Sequence, residues 1–466
     1  MHHTKKKITN VTDELGNADI GKLLFRLSVP AITAQIINLL YNLVDRMYIG
    51  HIDKIGKRAL TGVGVCLPLI MIITATTVLV SMGGAPKSSI YLGSGDKEGA
   101  KKILGNSVSL LIIISVLLTV IFQCFCEELL MSFGASENTI EYALDYMLVY
   151  SMGTIFVQIT LGLNPFISAQ GFAKISMLTV LIGAIANIIL DPIFIFTLGL
   201  GVKGAALATI ISQSLSMIWI LKFLTGKKAT VTIERKYLKL EPKVFVPCLL
   251  LGISPFIMKS TESLLALCFN SSLYRYGGDI AVGSMTILSS VMQFSLLPLF
   301  GLTEGAQPIM SYNYGAGNAE RMKKVFKLLL ISALVYATTL WTVVHITPST
   351  FVLIFNDDPA LVEFASNALK IYMAVSCVFG AQLACQYSFI ALGNAKSSVI
   401  VALLRKIILL IPLIYILPNV LTIVDKTTAI FMAEPIADTI SVLFTVILFY
   451  FQFKKALREI PQKEHE

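Results

Sequence analysis

The sequence predicts an all-α integral membrane protein whose twelve transmembrane helices form two six-helix lobes related by a pseudo-two-fold repeat. Composition points there first. Of 466 residues, 55% are hydrophobic and only 14% are charged, against about 25% charged in an ordinary soluble domain. Apolar runs of membrane-crossing length recur along the whole chain, and short strings near residues 93 and 167 return 222 residues later. A soluble globular fold is excluded.

A bilayer crossing takes about 20 predominantly apolar residues. Runs that qualify are 24–50, 59–82, 104–126, 143–167, 174–198, 203–224, 245–273, 280–303, 326–349, 363–391, 397–418 and 428–452. They predict an N-terminal segment (1–23), an N-lobe (24–224), a linker (225–244), a C-lobe (245–452) and a tail (453–466). The repeat supports this division. GSGDKEGAKK (93–102) matches GAGNAERMKK (315–324), and ISAQGFAKIS (167–176) matches FIALGNAKSS (389–398). LSVPA (27–31) also matches GISPF (252–256), at a slightly shifted offset. Six is even, so both halves enter the membrane in the same direction. That is a parallel repeat about an axis along the membrane normal, an arrangement that supports rocking transport around a central cavity.

The net charge of +9 is distributed by topology rather than as a nucleic-acid footprint. Basic residues gather in alternate connections: Lys5, Lys6, Lys7 and Lys22; Lys87, Lys97, Lys101 and Lys102; the stretch 222–243; Arg321 to Lys327; and Lys454 to Lys463. The intervening connections are poor in them, apart from Lys54, Lys57 and Arg58. This positive-inside bias predicts a multi-pass membrane protein with both termini in the cytoplasm. No cleavable signal pattern precedes the first span. Seven cysteines without C-x-x-C spacing argue against a disulfide framework or a zinc site and read as small core residues. The five histidines form no ligand-like pair, and no phosphate-binding G-x-x-x-x-G-K-[ST] run exists. GSGD (93–96) matches the string of intramembrane aspartyl proteases, but it opens a basic loop and its repeat reads GAGN.

Polar residues inside the spans are the candidate site. An ionisable side chain at mid-helix costs roughly 2.5–3.5 kcal/mol on the insertion scale, so it should face the protein interior. The first span carries Gln35, Asn38, Asn42 and Asp45 at intervals of three and four, one face of a helix. The fifth carries Thr179, Gly183, Asn187 and Asp191, and the sixth Thr209, Gln213 and Ser216. Together they predict an oxygen-rich cluster with two carboxylates. Such a cluster can take up a proton shared between crowded acids, or replace the hydration shell of a small hard cation such as Na⁺. Pro192 should let the fifth helix bend and free a carbonyl. The competing reading is that Asp191 only caps or pairs for packing. In the second half, Lys259 and Glu262 either neutralise each other or meet substrate. Glu434 and Asp438 share a helix face and read as cavity lining, because nothing nearby in sequence neutralises them. Glu304 reads as interfacial.

LYNLVDRMYIG (40–50), NIILDPIFIF (187–196), GVKGAALATIISQ (201–213) and GLTEGAQPIMSYNYGAGNAER (301–321) resemble the multidrug and toxic compound extrusion family, in its MepA-like and DinF-type branch. The resemblance implies a V of two lobes with a cation-coupling site at Asp45, Asn187, Asp191 and Thr209, holding H⁺ or Na⁺. Around it the N-lobe polar network would comprise Gln35, Asn38, Asn42, Tyr146, Asn164 and Pro192. It implies a monomeric antiporter in the lipid of a bacterial cytoplasmic membrane, not an enzyme and without a cofactor, that exports small amphipathic drugs and xenobiotics, cationic in character. One departure stands out. NorM-type members pair a glutamate of helix 7 with an aspartate of helix 10; Glu262 is near the first place, but AVSCVFGAQLACQYSF (374–389) has no acidic residue. Lys259, Glu262, Glu434 and Asp438 remain as candidate lining of the substrate cavity. The rivals are a flippase or exporter of a lipid-linked saccharide or endogenous metabolite and, more remotely, an intramembrane protease.

Overall fold

A computed structural model describes residues 11–52 and 55–460; the basic run Lys5–Lys7, Lys54 and Lys463 lie outside the described residues. The first lobe opens with a single turn, α1 (Glu14–Asn17), and then α2 (Ile20–Gly50), started by Asp19, whose carboxylate accepts from the Lys22 amide at 3.0 Å. It continues with α3 (Gly56–Gly93), α4 (Lys97–Cys124), the short α5 (Cys126–Ser132), α6 (Ile140–Met152), α7 (Thr154–Ala169), α8 (Ala173–Pro192) and α9 (Gly201–Leu224). The second lobe opens with α10 (Pro242–Gly315), two arms broken at Gly278, where φ 62° and ψ −156° demand a residue without Cβ. It goes on with α11 (Ala319–Ile346), α12 (Pro348–Leu353), α13 (Pro359–Tyr372), α14 (Ser376–Ala391), α15 (Ala395–Leu403), α16 (Ile411–Val420), α17 (Lys426–Phe431) and α18 (Ala433–Glu459).

Nine of these helical runs are long and apolar enough to cross a membrane, and two bent pairs, α6 with α7 and α13 with α14, add one span each. With α10 counted as its two arms, the described residues give the twelve spans in the predicted order. The outward faces are apolar: Ile113, Val116, Leu117 and Val120 on α4, and Leu443, Ile447 and Phe451 on α18, stand exposed. Faces of that size and chemistry need lipid. The chain is a multi-pass membrane protein.

Two expectations are refined. Spans 143–167 and 363–391 are not straight helices: they bend by 59° and 49°. The breaks fall at Gly153 and at 373–375, the same place in each half. The bend expected at Pro192 is not a sharp one, and Ala173–Thr197 runs on as one span. Proline offers no amide to the preceding turn, and the chain answers by widening into a π turn, Ile193–Thr197, that completes the span. The corresponding span of the second lobe also carries a π turn, Leu404–Leu410, between α15 and α16.

The repeated strings are helix starts. Gly95 (φ 87°) and Gly317 (φ 74°) take the left-handed conformation that turns the chain. The next residue then caps the following helix: Asp96 accepts from the Gly99 amide at 2.8 Å, and Asn318 from the Arg321 amide at 3.2 Å. Asp96 is therefore a structural cap.

The lobes meet through backbone. The most extensive helix contact joins α3 to α10. A Cβ added at Gly83 would strike the Cys248 carbonyl, and one at Gly252 the Leu79 carbonyl. Near the helix ends, Gly93 meets the Tyr312 carbonyl and Gly315 the Ile90 carbonyl. Small residues at a membrane helix interface permit this close approach. The seam lies towards the end that carries Lys97, Lys101, Arg321 and Lys323, the basic end.

The same end is tied by the N-terminal segment and the linker. Leu15 is fully buried, and its carbonyl accepts from Asn313 Nδ2 (2.9 Å) and Arg321 Nη2 (3.2 Å) of the second lobe. Thr12 donates to the Gln170 carbonyl of the first lobe at 3.0 Å and touches Thr230 of the linker at 2.7 Å. The linker itself is docked on α4: Lys101 Nζ lies 2.6 Å from Glu234 Oε1, and Asn106 Oδ1 accepts from the Glu241 amide at 2.8 Å. The Lys101 ammonium holds the Glu234 carboxyl below its ordinary range. α2 belongs to both lobes. Leu23, Leu24 and Leu27 bury with Ile309, Met310 and Leu329 of the second lobe, while the helix also packs along α8 of the first.

Candidate functional site

Beyond the seam lies a cleft with about 1600 Å³ of empty volume, walled by α2, α3, α7 and α8 on one side and by α10 and α14 on the other. Its polar lining includes Gln35, Asn38, Asn164, Lys259, Glu262 and Glu304. A smaller pocket of about 360 Å³ opens inside the first lobe, lined by Asn38, Tyr41, Asn187, Thr209 and Gln213. Asn38, Leu161 and Val180 border both.

The structure brings three of the four predicted cation-site residues into direct contact. Asn187 Nδ2 donates to Asp191 Oδ1 at 3.1 Å and makes a long contact of 3.5 Å to Thr209 Oγ1. The Thr209 hydroxyl donates its own hydrogen bond to the Ala205 carbonyl at 3.1 Å. Asn187 and Asp191 share α8 at a four-residue spacing, which stacks them on one face, and Thr209 faces them from α9. Asp191 is fully buried. Asp45 approaches from α2, the helix packed along α8.

The telling feature is what these groups lack. Asp45 Oδ1, Asn187 Oδ1 and Asp191 Oδ2 are all buried without a hydrogen-bond partner. Leaving one buried acceptor unsatisfied costs about 1–3 kcal/mol, more when it is charged. Three acceptor oxygens in one region, two from carboxylates, form an arrangement that a proton or a small cation can complete. Among the described residues no three His, Cys, Asp or Glu side chains converge as a metal centre. The donors present are carboxylate, amide and hydroxyl oxygens, which suit a hard ion.

The supporting residues divide. Asn38 borders both cavities, and Tyr146 is buried with its ring stacked on Tyr150, centroids 5.7 Å apart. Asn164 lines the cleft and donates to the Ser176 carbonyl at 3.3 Å. Gln35 turns to the other lobe, where its Nε2 sits 3.1 Å from both carboxylate oxygens of Glu304. Asn42 is exposed and donates to the Asn38 carbonyl at 2.6 Å, so it does not join the cluster.

In the second lobe, Glu304 is not interfacial but lines the cleft. Lys259 and Glu262 also line it, with 3.8 Å between their charged atoms. Glu434 and Asp438 do not line it. Both are buried on Arg405, at 2.7 and 2.6 Å, and Arg405 lies 4.5 Å over the Phe379 ring. Their neutralising partner sits on another span, out of reach of any reading by spacing. Lys406 donates to the Met258 carbonyl at 2.6 Å and lies 3.9 Å from Glu262.

Sequence reasoning missed Tyr41, Phe300 and Tyr387. Tyr41 sits on the same stripe, three residues after Asn38 and four before Asp45. Polar spacing that admitted tyrosine would have found it.

The MatE family model matches residues 30–193 and 256–416. Multidrug export protein MepA of Staphylococcus haemolyticus (strain JCSC1435) is 27% identical over 433 residues, covering 93% of this chain and 94% of that protein. MepA of Staphylococcus aureus (strain NCTC 8325 / PS 47) is 26% identical over 429 residues, with 92% and 94% covered. In fold, the chain superposes on a MATE transporter crystallised in a bent conformation with a TM-score of 0.90, at 22% identity over 97% of this chain and 99% of that one. A MOP superfamily transporter from Pyrococcus furiosus, whose binding pocket is described as of reverse polarity, gives a TM-score of 0.87 at 22% identity over 98% and 100%.

Proposed function

Because this chain belongs to the MatE family, we propose that it is a cation-coupled multidrug antiporter. It exports small, amphipathic, cationic compounds from the cytoplasm or inner leaflet of a bacterial membrane by alternating access. The coupling ion, H⁺ or Na⁺, occupies the cluster of Asp45, Asn187, Asp191 and Thr209. The observation that carries this reading is the group of three unpartnered buried oxygens on Asp45, Asn187 and Asp191, beside a pocket that adjoins the central cleft. With the positive-inside orientation, the sealed basic end faces the cytoplasm and the cleft faces out.

The residues then act as follows. Asp45 and Asp191 take up the ion. Asn187 holds one Asp191 oxygen and leaves the other free to receive it. Filling the site draws α2 and α8 together by removing the like-charge repulsion between their carboxylates. α2 passes that movement to the second lobe, against which its first turns are packed. An ion drives a conformational change only so far as it binds the two states differently, and the site's position between two helices meets that condition.

The cleft also weighs against a flippase for lipid-linked saccharides. A pyrophosphate calls for several cations, whereas Lys259 stands there with Glu262 and Glu304.

The test is drug efflux from proteoliposomes with a proton or a sodium gradient imposed separately. One of the two gradients should drive uptake of a cationic dye, and Asp191→Asn should abolish it while leaving the protein folded. Gradient-driven transport by Asp191→Asn at the wild-type rate overturns the coupling site.

A further inference from the structure

We propose that Glu304, framed by Phe300 and Tyr387, is the seat for the positive charge of the transported compound, and that Lys259 is a tethered competitor for that seat. The inference deepens the transport reading and rests on it.

Glu304 lies one helical turn beyond Phe300 on the second arm of α10, so both project to the same side. Tyr387 comes from α14, its ring 6.4 Å from that of Phe300 and tilted by 53°. All three line the cleft. A carboxylate beside two aromatic faces attracts a cation through both its charge and the ring quadrupoles.

Glu304 makes no direct ion pair among the described residues. Its one hydrogen-bonding partner among them is the neutral amide of Gln35, 3.1 Å from both oxygens. The cleft lining holds two carboxylates, Glu262 and Glu304, and one lysine. That lysine is the stand-in. Lys259 Nζ lies 5.9 Å from the Phe300 centroid while leaning towards Glu262 at 3.8 Å. Lys406 is turned away onto the Met258 carbonyl.

The ligand class follows from the surroundings of the acid. Gln35 Nε2 takes one approach to the two carboxylate oxygens, and the Phe300 and Tyr387 rings flank the carboxylate in the cleft, so charge and ring faces do more than donated hydrogen bonds to hold an incoming compound. An apolar body with one quaternary or delocalised positive charge fits, with little demand on its detailed shape. The seat also spans the seam, since Gln35 belongs to α2 and Glu304 to the second lobe. Gly301 and Gly305 let the two backbones close up there: a Cβ at either would strike Ile32 or Ser28.

The experiment is equilibrium binding to the purified full chain of two probes of similar body, tetraphenylphosphonium and neutral triphenylphosphine oxide. Glu304→Gln should weaken tetraphenylphosphonium by about tenfold or more and leave the neutral probe unchanged. Lys259→Met should tighten tetraphenylphosphonium severalfold by removing its competitor. The seat is refuted if a folded Glu304→Gln binds the cation as wild type does, or loses both probes equally. Should Glu304→Gln fail to fold, Lys259→Met decides: unchanged or weaker cation binding refutes it. Failure of the transport reading looks different. Then the wild-type chain moves no compound under either gradient, whereas a failed seat leaves gradient-driven export intact in Glu304→Gln.

Discussion

Asn187 lies between the acid and the hydroxyl of the proposed ion cluster, and its one side-chain amide reaches both. Its hydrogen to Asp191 is a good bond at 3.1 Å; its reach to Thr209 is long at 3.5 Å. Asn187→Ala should therefore shift the half-saturating concentration of the coupling ion by about tenfold, the equivalent of one lost buried hydrogen bond, and Thr209→Val by clearly less. Titrating dye efflux against proton or sodium concentration in proteoliposomes checks the order, and equal shifts would remove Asn187 from its central place. These residues were legible in the sequence because a four-residue interval in an apolar helix leaves few interpretations. Tyr41 was not, since a tyrosine among leucines reads as packing. Nor was the partner of Glu434 and Asp438, because Arg405 lies 29 and 33 residues away and only folding brings them together. Glu304 was misread for a related reason: its surroundings are contributed by α2, 269 residues earlier.

At the scale of helices, the spans themselves were plain from hydropathy, whereas their bends were hidden. Gly153 sits in an apolar stretch that reads as one helix, and the 59° turn falls at that glycine, where the Ile210 side chain packs too close to admit a Cβ. The glycines of the seam were equally silent, because a glycine in a membrane helix has many uses. Their role makes a sharp prediction. Gly83→Ala and Gly315→Ala each place a methyl group against a backbone carbonyl of the facing helix, of Cys248 and Ile90 respectively. Neither carbonyl can rotate aside, so each substitution should cost about 1–3 kcal/mol of overpacking. Gly64→Ala, with open space around it, should cost nothing measurable. Thermal unfolding in detergent separates the three, and a wild-type midpoint for Gly83→Ala would show that the lobes do not meet as described.

Over the whole molecule, α2, the N-terminal segment and the linker make the two lobes one machine. Arg321 ties that assembly at the basic end, donating to Asn313 Oδ1 at 3.1 Å and to the Leu15 carbonyl at 3.2 Å. Arg321→Ala should loosen the N-terminal segment and speed labelling of a cysteine introduced at Leu15 severalfold, with the overall fold kept. Labelling as slow as in the parent carrying only that cysteine would mean the segment is held by other means. The repeat made the two-lobe plan readable in advance, but it could not reveal which helices cross between lobes, since both halves predict themselves equally well. The glycine seam has one more consequence. At Gly83, Gly93, Gly252 and Gly315 the two sides touch through carbonyl and Cα atoms, Cys248 offering its carbonyl and not its thiol. At those four contacts the atoms that touch are uncharged backbone, so acidity and ionic strength reach them only through neighbouring side chains. On the proposed mechanism the element placed to part them is α2, gripped by the second lobe at Leu23 and Leu27 and carrying Asp45 near its far end.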